Sequence, residues 1–247
     1  VNTMEKKQII IASILGIAFV LGLSFAAYQV SRIRKVPSEI SVTGIAERNF
    51  KSDLIVWTAT YSVQDYSSSE GYQDLQRIGK EVRNFIKKND IPDSSYLFSG
   101  ISISKMYDQV TDGNNYYRQV FAGYNLSQTV TITSQDIDRV EALSRNITEL
   151  INQGIEITSG DPSYYYTHLN DLKLEMLKES SEDALARAGV IAEGSNCKVG
   201  KLKRSQMGVF QIVGQYSDED YSWGGSFNTS SKYKTASITV KNTYKIR

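Results

Sequence analysis

The chain has 247 residues, with 28 Lys and Arg against 27 Asp and Glu, one histidine and one cysteine. The lone Cys197 excludes an intramolecular disulfide framework and any multi-cysteine metal site, and the absence of a basic block after the first thirty-five residues argues against nucleic acid as a partner. Only three prolines, with many Tyr, Thr, Ser and Val, point to extended sheet and away from disorder.

From Ile9 to Tyr28 the sequence reads IIIASILGIAFVLGLSFAAY, uncharged, with Ser13 and Ser24 the only polar side chains before Tyr28. A helix rises about 1.5 Å per residue, so roughly 20 apolar residues cross the hydrocarbon core. The run predicts a transmembrane helix over 9–28, with a short cytoplasmic tail over 1–8, a linker over 29–38 and the lipid bilayer as a partner. Lys6 and Lys7 before it, and Arg32, Arg34 and Lys35 after it, suit the headgroup layers. A cleaved signal peptide is the alternative, with Ser24-Phe25-Ala26 as its small-x-small site. The run is longer than the roughly 7–15 residues of a usual signal h-region. The flanking charges nearly balance, so orientation rests on the signal-anchor layout, which puts everything after Val36 outside the cytoplasm. Met4 is a candidate start. Ala18, Gly22 and Ala26, spaced by four, form a small-residue stripe and a candidate packing face between membrane helices.

About 210 residues follow, enough for a substantial core. They hold 23 bases against 26 acids. Glu39 to Ala46 reads as a short strand that breaks at Gly44, and Leu54 to Val63 as a second strand rich in β-branched and aromatic residues. Ser67 to Ser69 offer caps for a helix to Asn89, whose Leu75, Ile78, Val82, Phe85 and Ile86 share one face. Pro92 ends it. Tyr96 to Met106 and Tyr117 to Thr133 form two strands around the turn signal Asp112-Gly113-Asn114-Asn115. A second helix is capped by Ser134 or Asp136, buries Ile137, Val140, Leu143, Ile147 and Leu150, and stops at Gly154. Ile155 to His168 is the next strand. A third helix runs from Leu169 to about Gly194, with Leu172, Met176, Ala184, Ala188 and Ile191 inward. Lys198 to Val213 and Lys232 to Ile246 close the domain around a loop, Tyr216 to Ser231. The order from Leu54 to His168 is the split βαβ arrangement of a ferredoxin-like unit, so the expected class is α+β, a sandwich with helices on one face of a largely antiparallel sheet.

Several phrases, in order, resemble the SIMPL-domain family of bacterial exported and membrane-attached proteins. They are Ile40-Ser41-Val42-Thr43-Gly44, Asn89-Asp90-Ile91-Pro92, Ala122-Gly123-Tyr124, Gly154-Ile155, and the third helix running into Asn196-Cys197-Lys198-Val199-Gly200-Lys201-Leu202. The resemblance spans roughly Glu39 to Arg247, one domain over 39–247. Where that family has an alanine-rich third helix, this chain has Glu179-Ser180-Ser181-Glu182-Asp183. The resemblance implies large ring or channel-like homo-oligomers, a link to stress defence, and no established catalytic residues.

The residues themselves carry little chemistry. His168 is the sole histidine, without a nucleophile elbow or a zinc spacing near it, and no phosphate-cradling glycine loop occurs. Asp218-Glu219-Asp220 lacks the alternating ligands of a calcium loop. Tyr164-Tyr165-Tyr166 reads as alternating sheet faces. No catalytic, cofactor-binding or metal residues are expected. Tyr221, Trp223 and Phe227, set among glycines and serines in a long loop, are the candidate contacts between copies. The expectation is a non-enzymatic, membrane-anchored protein on the periplasmic or extracellular side that assembles with itself. The alternative is a ligand-binding module or enzyme whose cleft the sequence does not reveal.

Overall fold

The computed structural model describes residues 3–33, 38–112, 116–220 and 222–247. The first element is helix α1 (Thr3–Ile33). Its described side chains run without a break only from Ser13 to Gln29, and within the described residues no helix is long and apolar enough to cross a membrane. Along it Ile14, Leu15, Phe19, Leu21 and Phe25 all stand exposed.

The chain divides into two compact units: Val1–Val42, Leu185–Ser205 and Asn242–Arg247 in unit 1, and Thr43–Ala184 with Gln206–Lys241 in unit 2. Strands β1 (Glu39–Lys51), β2 (Leu54–Asp65), β3 (Tyr96–Phe98), β4 (Ser102–Asp112), β5 (Tyr116–Ser134), β6 (Glu156–Ser159), β7 (Ser163–Tyr165), β8 (Val199–Met207), β9 (Gln211–Gly214) and β10 (Tyr233–Ile246) form two sheets. Helices α2 (Ser68–Lys88), α3 (Ile137–Asn146) and α4 (Leu169–Gly194) complete the order.

In unit 2 the six-stranded sheet has the order β3-β5-β2-β6, with β4 also pairing β5 and β7 pairing β2. Each of these pairings is antiparallel. Strand β2 is therefore central, flanked by β5 and β6, which is the split βαβ topology expected from the element order. Ser67 caps α2 by accepting from the Glu70 amide, and Asp136 caps α3 by accepting from the Arg139 amide. The apolar stripes of both helices meet the sheet. Leu75, Ile78, Val82 and Ile86 join Val140, Leu143, Ile147 and Leu150 around Trp57 and Tyr61, while Phe85 packs at the margin. The Trp57 indole is wholly buried, and its N–H donates to the Gly160 carbonyl at 2.9 Å. The other sheet has the order β1-β10-β8, with β9 also on β10.

Several boundaries differ from the sequence reading. Strand β1 does not break at Gly44 but runs on to Lys51. The glycine serves close approach instead, since a Cβ there would sit 2.0 Å from the Ser180 carbonyl oxygen on α4. The long strands expected over 96–106, 155–168 and 198–213 are each divided in two. On α4 Ala192 is buried and Ile191 is 48% exposed, because the inner row repeats every four residues through Leu172, Met176, Ser180, Ala184 and Ala188. The turn residues Gly113 to Asn115 lie outside the described residues, although Asp112 and Tyr116 pair as a hairpin there requires.

Candidate functional site

The segment from Gln215 to Lys232 enters with Tyr216 at φ 61°, a left-handed conformation that bulky residues seldom adopt. A set of side-chain bonds then fixes it. The amide of Gln211, on β9, donates to the Ser222 carbonyl at 2.7 Å and accepts from the Ser226 amide at 2.8 Å and from the Ser222 amide at 3.3 Å. Glu219 accepts from the Gly214 amide at 3.2 Å and from the Asn228 side chain. Asn228 caps the far end by accepting from the Ser231 amide at 2.8 Å. Beneath it Lys234, almost wholly buried, donates to the Asn228 carbonyl at 2.7 Å. Burial pushes this ammonium down to about 8, with Glu219 the charge that opposes the shift.

On this frame Trp223 is 100% exposed and Phe227 is 51% exposed. Phe227 bridges to Ile212 of β9, which holds its backbone against the sheet. Gly225 lies between them at φ 94°, and a Cβ there would come within 2.8 Å of the Phe210 carbonyl oxygen. Tyr221, the third expected contact, lies outside the described residues. A cavity of about 350 Å³ opens beside the loop, lined by Trp223, Ile45, Val209, Gln211 and Ile238 among others. The sequence singled out the aromatics. It did not single out Gln211, Asn228 or Lys234, which hold them, because isolated polar residues on a strand or in a loop read as solvent-facing.

The membrane-stripe candidates Ala18, Gly22 and Ala26 all lie on α1 and all are exposed. A Cβ at Gly22 would meet nothing within 4 Å. His168 precedes α4, its imidazole largely exposed, with Nδ1 3.9 Å from the Asp171 carboxylate and its ring 6.0 Å from that of Tyr166. It lines a second, polar cavity of about 560 Å³ with Lys51, Ser52, Asp53, Asp136 and Asp138. Those carboxylates have other partners. Asp53 accepts from the Thr167 amide and hydroxyl at 2.7 Å each, Asp136 caps α3, and Asp138 accepts from Lys232 at 2.5 Å, a bond that holds its carboxyl below the usual range. Among the described residues no group of three or more His, Cys, Asp and Glu could hold a metal ion. Cys197 is half-buried beyond the end of α4, its thiol directed to the Ser195 carbonyl at 3.4 Å.

Two comparisons with known proteins bear on this arrangement. The family model of SIMPL, described as a protein of unknown function (DUF541), matches residues 40–244. The 26 kDa periplasmic immunogenic proteins of Brucella melitensis biotype 1 and Brucella abortus strain S19 are each 23% identical over 202 residues, covering 80% of this chain and 78% of the relative.

Proposed function

From the premise that this chain belongs to the SIMPL family, we propose that it is an exported, membrane-anchored protein that builds a homo-oligomeric ring or cage outside the cytoplasm. The observation that carries the reading is Trp223, a fully exposed indole held on a loop fixed by Gln211, Asn228 and Lys234. Ordering such a loop around an exposed indole is costly unless something covers it, and Trp is the residue most enriched at the centres of protein interfaces. A second apolar surface points the same way. Beyond the reach of β2, β4 and β5 pair, among the described residues, only with each other, from Tyr107 opposite Phe121 out to Asp112 opposite Tyr116. Tyr107, Val110, Val120 and Phe121 are exposed on this two-stranded ribbon. An isolated pair of strands is marginal in water, and unpaired edges invite further strands.

The anchor is α1, which contains the whole uncharged run from Ile9 to Tyr28. Export agrees with the periplasmic description of the Brucella relatives. A role in envelope stress defence follows from the family resemblance. The competing reading is a ligand-binding module, favoured by the cavity of about 350 Å³ beside Trp223. Mass in mild detergent separates the two. Replacing Tyr221, Trp223 and Phe227 with serine shrinks the particle and leaves the circular dichroism spectrum unchanged. A wild-type chain that is already monomeric, or a particle untouched by the three serines, defeats assembly through this loop.

A further inference from the structure

We propose that the exposed basic surface of unit 1, centred on strand β8, rests on anionic phospholipid headgroups of the membrane that holds α1. The inference depends on the membrane-anchor reading and adds to it a second, electrostatic attachment.

Charge is divided unevenly between the two units. Apart from the helix α1 and its flanks, unit 1 carries seven Lys and Arg against two Asp and Glu, whereas unit 2 carries sixteen against twenty-four. The strand β8 ends its sheet in the order β1-β10-β8. Lys201, Leu202, Lys203 and Arg204 are all exposed on it, so neither of its faces is covered. Lys198 and Arg247 exchange two backbone hydrogen bonds of 2.9 Å, which brings those two exposed cations together, and Lys245 is exposed two residues before Arg247. Exposed aliphatic residues accompany the cations: Val190 at 72%, Leu202 at 52% and Ile191 at 48%. Cations mixed with exposed aliphatics suit the interface of a bilayer, where the headgroups take the charge and the acyl boundary takes the apolar side chains.

Chain connectivity places this surface near a membrane. The Lys203 ammonium donates to Glu39, the first residue of β1, and the Ile246 amide donates to the Ser38 carbonyl at 2.9 Å. Helix α1 ends at Ile33. The six steps from Ile33 to Glu39 span at most about 20 Å at full extension, whatever path they take. Glu39 is thus held within that distance of the end of the membrane helix, and β8, two strands across from β1 in the same sheet, within about 10 Å more. An acidic face on a second copy is the competing occupant. The bilayer is always within the reach of the tether, at an effective concentration that an untethered copy does not match.

The test uses the full chain in lipid nanodiscs, one set of phosphatidylcholine alone and one containing phosphatidylglycerol. A fluorophore is attached at Ser205→Cys in a Cys197→Ala background, and a spin label on the lipid headgroups serves as quencher. Quenching is expected to be about twofold or more stronger in the anionic discs, and to fall to the neutral value in high salt. It should fall equally in the triple variant Lys198→Gln, Lys201→Gln, Arg204→Gln, which leaves the Lys203–Glu39 pair in place. Because those side chains are exposed, the variant keeps the wild-type circular dichroism spectrum. Equal quenching in the two lipids, or quenching untouched by the glutamines, overturns the proposal while leaving the anchor in place. A chain that does not enter the discs at all defeats the anchor and this proposal with it. Protection that ignores lipid charge but requires two chains in one disc assigns the strand to another copy, which also overturns it.

Discussion

The two apolar clusters of unit 2 are built from different chemistry. Around β2, β5, α2 and α3, twenty buried residues pack together, most of them Ile, Leu and Val, with Trp57 and Tyr61 at the centre. Around β9, β10 and the first half of α4 only six do, and two of those are alanines. The smaller cluster is supplemented by polar ties. Arg48 of β1 donates to both Glu175 and Glu179 on α4, the Ile45 amide donates to Asp183 at 2.9 Å, and Thr235 donates to Asn49 at 2.7 Å. The acidic stretch of α4, where alanine was expected from the family, therefore supplies partners for β1. The first core is held by the volume it fills and the second by how closely two backbones approach, so they should fail in opposite ways.

Removing volume from the first core has the largest expected effect. Leu75→Ala empties a site with no solvent access, and such truncations cost about 3–5 kcal/mol. The urea midpoint of the chain in mild detergent should drop accordingly, and a shift equivalent to less than about 1 kcal/mol would show that α2 is not seated as described. In the second core the damaging change is an addition. Gly44→Ala puts a methyl 2.0 Å from the Ser180 carbonyl and 2.5 Å from the Ala184 amide nitrogen, both backbone atoms that no rotamer change can move. Overpacking typically costs about 1–3 kcal/mol. Loss of near-ultraviolet dichroism contributed by Phe50 and Tyr166, which pack on this cluster at 4.9 Å between ring centroids, reports it. An alanine variant as stable as wild type would refute the close approach of β1 and α4.

The smallest effect is a dependence on pH. Lys234 has its folded value lowered to about 8 by burial, so between about pH 8 and 10.5 the unfolded chain binds more protons than the native one. Stability therefore rises with pH across that window. Tyr61 and Tyr164, pushed up to about 12 mainly by burial, act in the reverse direction. They favour the fold below pH 10, and their contribution is lost as pH rises through 12. Unfolding midpoints should thus climb from pH 8 toward 10 and then fall. In Lys234→Met the climb should vanish and the later fall remain.

The larger core was legible in the sequence because its signals are periodic. The rows Leu75-Ile78-Val82-Ile86 and Ile137-Val140-Leu143 repeat at helical spacing, and the caps Ser67 and Asp136 sit where a chain turns into a helix. The smaller cluster and the loop beside it were less so. Gly44 reads locally as a strand breaker, and only the presence of α4 across from it turns the missing Cβ into a requirement. Lys234 reads as an exposed residue because lysines are almost never fully buried, and its partner Asn228 comes from a loop with no period of its own. The aromatics of that loop could be picked out by composition. What fixes them is a set of hydrogen bonds between residues whose proximity the sequence does not encode locally.

The placement of β10 between β1 and β8 also sets an order in time. Strands β2 to β7, with α2 and α3, all lie before Leu169, so the six-stranded sheet can close while α4 is still being made. The first strand of the other sheet waits far longer. Nearly two hundred residues separate Glu39 from Tyr233, which at ordinary synthesis rates is roughly ten to forty seconds. For most of that interval β1 stands alone, and β8, made only from Val199 on, joins it in waiting for the strand that lies between them. A chain cut short before Tyr233 would keep one sheet and leave β1, β8 and β9 of the other unjoined.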